Sequence, residues 1–201
     1  MKKIKILALI FSLAVLFTSC ANSTSKTNSQ VSETSSGNKS SEKILVVYYS
    51  ATGSTKEAAQ YIAEYSSGDL FEIVPENPYS SDDLNYNDSK SRVSKEHNDK
   101  SLRDVPLKAT APDNFNDYDI IFIGYPIWWG EAAWPVNNFV KSNDFSGKTV
   151  IPFCTSASSG LSDSGEKLKE MSNSGDWLKG ERFSSNPSKS DIEEFVKETI
   201  K

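Results

Sequence analysis

Between residues 44 and 74 the hydrophobic periodicity changes twice. Ile44 to Tyr49 is an unbroken apolar run rich in β-branched and aromatic residues, the pattern of a strand buried on both faces. Ser50 to Gly53 closes the run with turn formers. From Thr55 the pattern turns helical: Ala58, Ala59, Ile62 and Ala63 share one face, Ser54 and Glu57 have capping-box spacing, and Ser67 and Gly68 form a stop. Asp69 to Val74 then reads as a second strand. A strand, a helix and a strand within about thirty residues is a βαβ unit, and a crossover of this length makes the two strands parallel.

The alternation continues. Asp119 to Gly124 is another buried strand, followed by a short helix around Trp134 to Ser142 and a strand from Lys148 to Cys154, in which Pro152 removes one ladder donor. Glu166 to Met171 reads as a helix and Glu181 to Phe183 as a short edge strand. In the last helix Ile192, Phe195, Val196 and Ile200 share one face, with Ser190 and Glu193 in capping-box spacing. Such alternation indicates a doubly wound α/β sandwich. Pro75 to Tyr118 fits it least: it is long, polar and poor in aliphatics, with a candidate helix around Asp88 to Asn98. A connection that long within a compact domain is more often functional or mobile.

The N-terminus has a different character. Lys2, Lys3 and Lys5 precede Ile6 to Phe17, which are all apolar except Ser12, and the small residues Thr18 and Ser19 lead to Cys20. These are the regions of an export signal, and the apolar run is short of the ~20 residues of a membrane span. A cysteine at the cleavage point followed by Ala21 resembles the lipobox of bacterial lipoproteins, with Phe17 where that pattern usually has leucine. The resemblance implies removal of residues 1–19, lipidation of Cys20 and an extracytoplasmic, membrane-anchored protein. Residues 20–42, dominated by Ser, Thr, Asn, Gln and Lys without an aromatic, cannot bury enough apolar surface to offset ordering entropy and read as a tether. The folded domain is then residues 43–201. Residues 1–42 carry five Lys and two Glu, which leaves 17 basic against 25 acidic residues, net −8, in the domain.

Composition narrows the chemistry. With a net charge of −5 over 201 residues, a basic nucleic-acid binder is excluded as the default and no nucleic-acid partner is expected. One histidine, His97, excludes sites needing several imidazoles, and Cys20 and Cys154 cannot build a zinc cage or a disulfide framework, so no metal site is expected. His97 lies in a polar stretch and is expected to be solvated. Cys154 is expected to be a buried free thiol, and Arg92 with Glu96 a helix-surface pair.

Three loops hold the candidate site. Ser50, Ala51, Thr52, Gly53, Ser54 and Thr55 join the first strand to the first helix, where ligands of open α/β sheets bind. Hydroxyls at 50, 52, 54 and 55 can converge on one anion, with backbone N–H groups and the helix dipole adding positive potential. No cation lies within the loop, which suits a phosphate monoester, and the lysine-bearing P-loop and G-x-G-x-x-G patterns are absent. Taken alone, the same residues also suit a helix cap and a polar turn. Two adjacent indoles in Gly124, Tyr125, Pro126, Ile127, Trp128, Trp129, Gly130 cannot both enter one core. Either one is offered to a planar ligand or partner, or both are wedged under neighbouring loops. Thr155 to Gly160 follows the strand ending at Cys154 and is rich in turn formers, as an ordinary loop also is.

The pattern S-x-T-G-x-T after a hydrophobic first strand, together with the G-x-P-x-W segment, resembles the flavodoxin family. The resemblance implies an α/β flavodoxin-like three-layer sandwich with a five-stranded parallel sheet in order 2-1-3-4-5, and noncovalent FMN. It implies phosphate binding by Ser50, Ala51, Thr52, Gly53, Ser54 and Thr55, and ring contacts from Pro126, Ile127, Trp128, Trp129 and Gly130, with Trp129 the stacking partner. It assigns the pyrimidine edge to Thr155, Ser156, Ala157 and Gly160. Glu131 stands where the family's W-G-D segment has aspartate, and the third loop lacks the family's second stacking aromatic, leaving Tyr79 or Tyr86 to cover the other ring face. No side chain is nominated as catalytic. The implied function is electron transfer to a redox partner protein or small acceptor at the membrane's outer face. Two alternatives are an NAD(P)H-dependent quinone or small-molecule reductase and a binding module that has lost FMN.

Overall fold

The computed structural model describes residues 42–200. The expected export leader, Cys20 and nearly all of the expected tether lie outside the described residues. In chain order the elements are β1 (Ile44–Tyr48), α1 (Ser54–Ser66), β2 (Asp69–Glu72), α2 (Arg92–Asn98), β3 (Ile120–Trp128), β4 (Glu131–Ala132), α3 (Pro135–Ser142), β5 (Thr149–Ser156), α4 (Ser164–Ser172), β6 (Asp176–Trp177), β7 (Glu181–Ser184) and α5 (Lys189–Thr199). Single 3-10 turns occupy Lys100–Arg103 and Phe115–Asp117.

The sheet is parallel along the path β2-β1-β3-β5-β6, with Tyr48 level with Gly124 and Tyr125 level with Cys154. This corrects the expected five strands in order 2-1-3-4-5: the sheet has seven, because β4 pairs antiparallel with β3 and both β6 and β7 pair with β5. The division of the outer strand has a local cause. The Lys148 and Val150 carbonyls accept from Asp176 and Leu178 at 2.9 Å, so alternate residues of β5 face this edge. Pro152 is the next in that series and has no N–H to give. Pairing resumes only at Glu181, after Gly180, which lies so close over the Pro152 carbonyl that a Cβ would overlap it.

Strict alternation along the central strands divides the core into two. Val46, Tyr48, Ile120, Phe122, Ile151 and Phe153 pack under α1 and α5. Leu45, Val47, Ile121, Ile123, Tyr125 and Val150 pack on the other face against α3, Leu168 of α4 and residues of the 75–118 segment. The three layers put every β-to-α connection of the parallel strands at one edge of the sheet.

The 75–118 segment is structured. Pro75 bridges to Leu107, and Val93, Val105, Leu107 and Phe115 are buried. Ser91 caps α2 by accepting from the Ser94 N–H. Glu96, 4% exposed, accepts from Tyr79 Oη at 2.7 Å and Arg92 Nε at 2.8 Å, and the Arg92 guanidinium lies 3.8 Å from the centre of the Tyr79 ring. Arg92 and Glu96 are therefore a half-buried anchor for α2, not the expected surface pair. The helix caps also differ from expectation. Gly53 begins α1 without a side-chain cap, and α5 is capped by Ser188, which accepts from the Asp191 N–H.

Candidate functional site

At the carboxyl edge of β1, the chain must leave the sheet and enter α1 within a few residues. Gly53 makes the turn with a φ of 102°, a region that only glycine occupies without strain. Ser50 Oγ accepts from the Gly53 N–H at 3.1 Å and fixes the loop. Thr55 is 1% exposed and shares a 2.7 Å hydrogen bond with Thr155 Oγ1, tying this loop to the end of β5. Of the four hydroxyls, Ser50 and Thr55 thus shape the loop. Thr52 is exposed and Ser54 half-buried, and neither hydroxyl has a hydrogen-bond partner among the described residues. The thirteen-residue α1 directs uncapped N–H groups and its positive dipole end at the same place. Lys56 points elsewhere, to Glu72 at 3.6 Å.

β3 runs beyond the sheet core and turns back into β4 over two residues, Trp129 and Gly130. Both have positive φ, 49° and 80°, as a hairpin matched to strand twist requires. The turn separates the two indoles. Trp128 is half-buried in an edge-on cluster with Tyr49, Tyr79 and Trp134 at ring-centre distances of 5.2–5.7 Å. Trp129 is 42% exposed, and one face stacks on His97, with ring centres 4.3 Å apart and planes 9° from parallel. His97 is therefore half-buried rather than solvated, and its Nδ1 is buried without a partner among the described residues. Tyr79 is committed to Trp128 and Glu96, so it cannot cover a ligand.

The third loop closes the site. A cleft of about 450 Å³ lies between Ile127, Trp128 and Trp129 on one side and Ser156, Ala157, Ser158 and Ser159 on the other, with Leu84, Tyr86 and Val93 from the 75–118 segment completing it. Tyr86 is 71% exposed at this rim. Pro126 and Gly130 adjoin this wall within the β3–β4 hairpin, while Gly160 lines a separate cleft with Leu161 and Lys179. Arg182 of β7 braces the loop from behind, donating to the Ser156 and Ala157 carbonyls at 2.7 and 3.0 Å.

The charges around the cleft are fixed in pairs. Arg103 donates to Glu131 Oε2 at 2.7 Å and to the carbonyls of Glu96 and His97 at 2.8 and 2.9 Å, and its guanidinium lies 4.0 Å from the centre of the Trp134 ring. It ties the end of α2 to β4, beside the Trp129 turn. Burial acts to raise the Glu131 carboxyl, but the Arg103 bond and charge, with help from Lys167, hold it below its ordinary value. Glu131 is therefore an anion engaged with cations and is not offered to a ligand. Burial raises the Cys154 thiol to about 12, against a smaller lowering by Arg182, so it is inert. Among the described residues no group of three His, Cys, Asp or Glu could hold a metal ion.

The three sequence-selected loops thus meet at one edge, joined by the Thr55–Thr155 bond. His97, Arg103 and Arg182 complete the site from outside these loops. Each acts through a contact distant in sequence, and none stands in a local motif.

The flavodoxin model matches residues 43–199. Two solved structures of candidate flavoproteins, from Bacteroides eggerthii and Bacteroides uniformis, are each 39% identical to this chain. The first covers 77% of this chain and 96% of its own with a TM-score of 0.70, the second 78% and 98% with 0.71. A flavoprotein in complex with FMN from Lactobacillus acidophilus is 26% identical, covers 70% of this chain and 93% of its own, and has a TM-score of 0.54. No curated protein matches the chain. With most of its length matched by the family model and two relatives at this identity, the chain belongs to the flavodoxin family.

Proposed function

We propose that this protein binds FMN and transfers electrons, held by a lipid on Cys20 at the extracytoplasmic face of a bacterial membrane. One juxtaposition carries the cofactor assignment: an uncapped helix N-terminus with free hydroxyls adjoins, through Thr55 and Thr155, an aromatic-walled cleft. The residues fit a phosphorylated planar ring. Thr52, Ser54 and the first N–H groups of α1 would take the phosphate. Ile127 and Trp129 would take the ring, and the 156–159 loop its polar edge. FMN supplies the redox chemistry when bound; the protein orients it, limits its contact with water and sets the charge around it. Membership of the flavodoxin family and an FMN-bound relative support the assignment.

The anchor rests on the leader and Cys20 alone. Cys20→Ala should move the protein from the membrane to the soluble fraction of the producing cell; retention at the membrane would refute the lipid anchor.

A second reading, reduction of a small planar acceptor, is favoured by one observation. Leu84, Tyr86 and Val93 give the cleft a third apolar wall. The test is anaerobic. A carrier loaded with FMN, once reduced chemically, should pass electrons to a one-electron acceptor protein and leave NAD(P)H unconsumed. Steady NAD(P)H oxidation in the presence of a quinone would establish the reductase instead.

A further inference from the structure

Arg182 makes three hydrogen bonds to the loop that lines the cleft. Nη2 donates to the Ser156 carbonyl at 2.7 Å and the Ala157 carbonyl at 3.0 Å, and Nε donates to Ser156 Oγ at 3.1 Å. Ser156 Oγ in turn donates a hydrogen bond to the Ser159 carbonyl. In a planar trans peptide, a carbonyl and the following N–H point in opposite directions. With the carbonyls of 156 and 157 both held by the Arg182 guanidinium, which does not line the cleft, the N–H groups of Ala157 and Ser158 point to the side of the loop away from it. The cleft lies there, with Ile127 and Trp129 facing the loop across it. Neither N–H has a hydrogen-bond partner among the described residues. Two unpaired backbone donors on successive residues of one loop are available to an electron-rich group.

We infer that Arg182 is a positioning residue of the cofactor site. By gripping two carbonyls from behind, it aims the Ala157 and Ser158 amides at a carbonyl-bearing edge of a planar heterocycle and sets a full positive charge behind them. The inference rests on the FMN reading, in which that edge belongs to the pyrimidine end of the ring. A lysine could keep the charge but lacks the planar fork in which Nη2 holds both carbonyls while Nε holds Ser156 Oγ.

The test compares FMN with riboflavin, which shares the ring and lacks the phosphate, on the full chain and on Arg182→Met. The variant should bind both about tenfold more weakly and by the same factor, as the loss of oriented donors to the shared ring predicts. The reduction potential of the bound flavin should become more negative, because the donors and charge that favour the electron-rich ring are gone. Arg182→Lys should lose affinity similarly while recovering part of the potential, and it carries the same test if Arg182→Met does not fold. Affinities and potential within about twofold and experimental error of the unmodified chain, or a loss confined to FMN, would overturn the inference. If the unmodified chain binds neither flavin, the FMN reading itself fails.

Discussion

Trp129 holds a positive φ that costs a non-glycine residue of the order of 1–2 kcal/mol, and the turn is kept by what surrounds it. His97 stacks on the indole, and Arg103 pins the carbonyl of His97 while bonding Glu131 on the far side of the turn. The indole at the cleft is therefore set by residues of the 75–118 segment. Thr52 is the opposite case, an exposed hydroxyl without a partner among the described residues. Thr52→Val should leave thermal stability unchanged, weaken FMN about tenfold through one lost charge-assisted hydrogen bond, and leave riboflavin affinity as it was. Equal losses for both flavins would mean that the 50–55 loop is not the phosphate site. Thr52, Ser54 and the two indoles were legible in the sequence because local spacing puts them in loops after buried strands. His97 and Arg182 were not, because a polar local context says nothing about the Trp129 turn or about the register that sets Arg182 beside Cys154.

The strands legible from sequence were those buried on both faces, where continuous apolar runs leave no alternative. β1, β3 and β5 are of this kind. β4 and β6 have two residues each, too few for any periodicity, so the sheet was read with five strands where it has seven. Pro152 was the one visible sign of a broken ladder, and its effect fell on the neighbouring strand. The 75–118 segment reads as a loop because its buried apolar residues, Val93, Val105, Leu107 and Phe115, are scattered without periodicity and α2 is held by a buried carboxylate. Glu96→Ala would leave the Arg92 guanidinium and Tyr79 hydroxyl without their partner, at a cost of about 3 kcal/mol. Amide hydrogen exchange should then accelerate first in residues 75–118 while β1, β3 and β5 stay protected. Uniform acceleration across the sheet would show that α2 does not open independently.

For the whole molecule, pH should act at both extremes. Glu131 is held below its ordinary 4.5, so its pairing stabilises the fold fully above that pH and the contribution is lost as pH falls through the depressed folded value. At the other extreme, burial and then Glu72 raise Tyr48 to about 12, and burial also raises Tyr49, Tyr79, Tyr125 and Cys154. The unfolded chain ionises these groups near the ordinary 9 of a thiol and 10 of a phenol while the folded one resists. Stability is intact below that range and declines as pH rises through it toward about 12. A melting temperature that held steady throughout this range would contradict the packing of these side chains.

The proposed FMN site is one assembly, the 50–55 loop and the aromatic cleft joined at one edge of the sheet. Its most direct test is a titration of the purified full chain with FMN, followed by visible absorption and tryptophan fluorescence, with riboflavin in parallel. The expected result is saturable FMN binding with shifted flavin bands, quenching that Trp129→Ala reduces, and riboflavin weaker by at least about tenfold for want of the phosphate. Absence of saturable binding, or FMN and riboflavin bound alike, would contradict it.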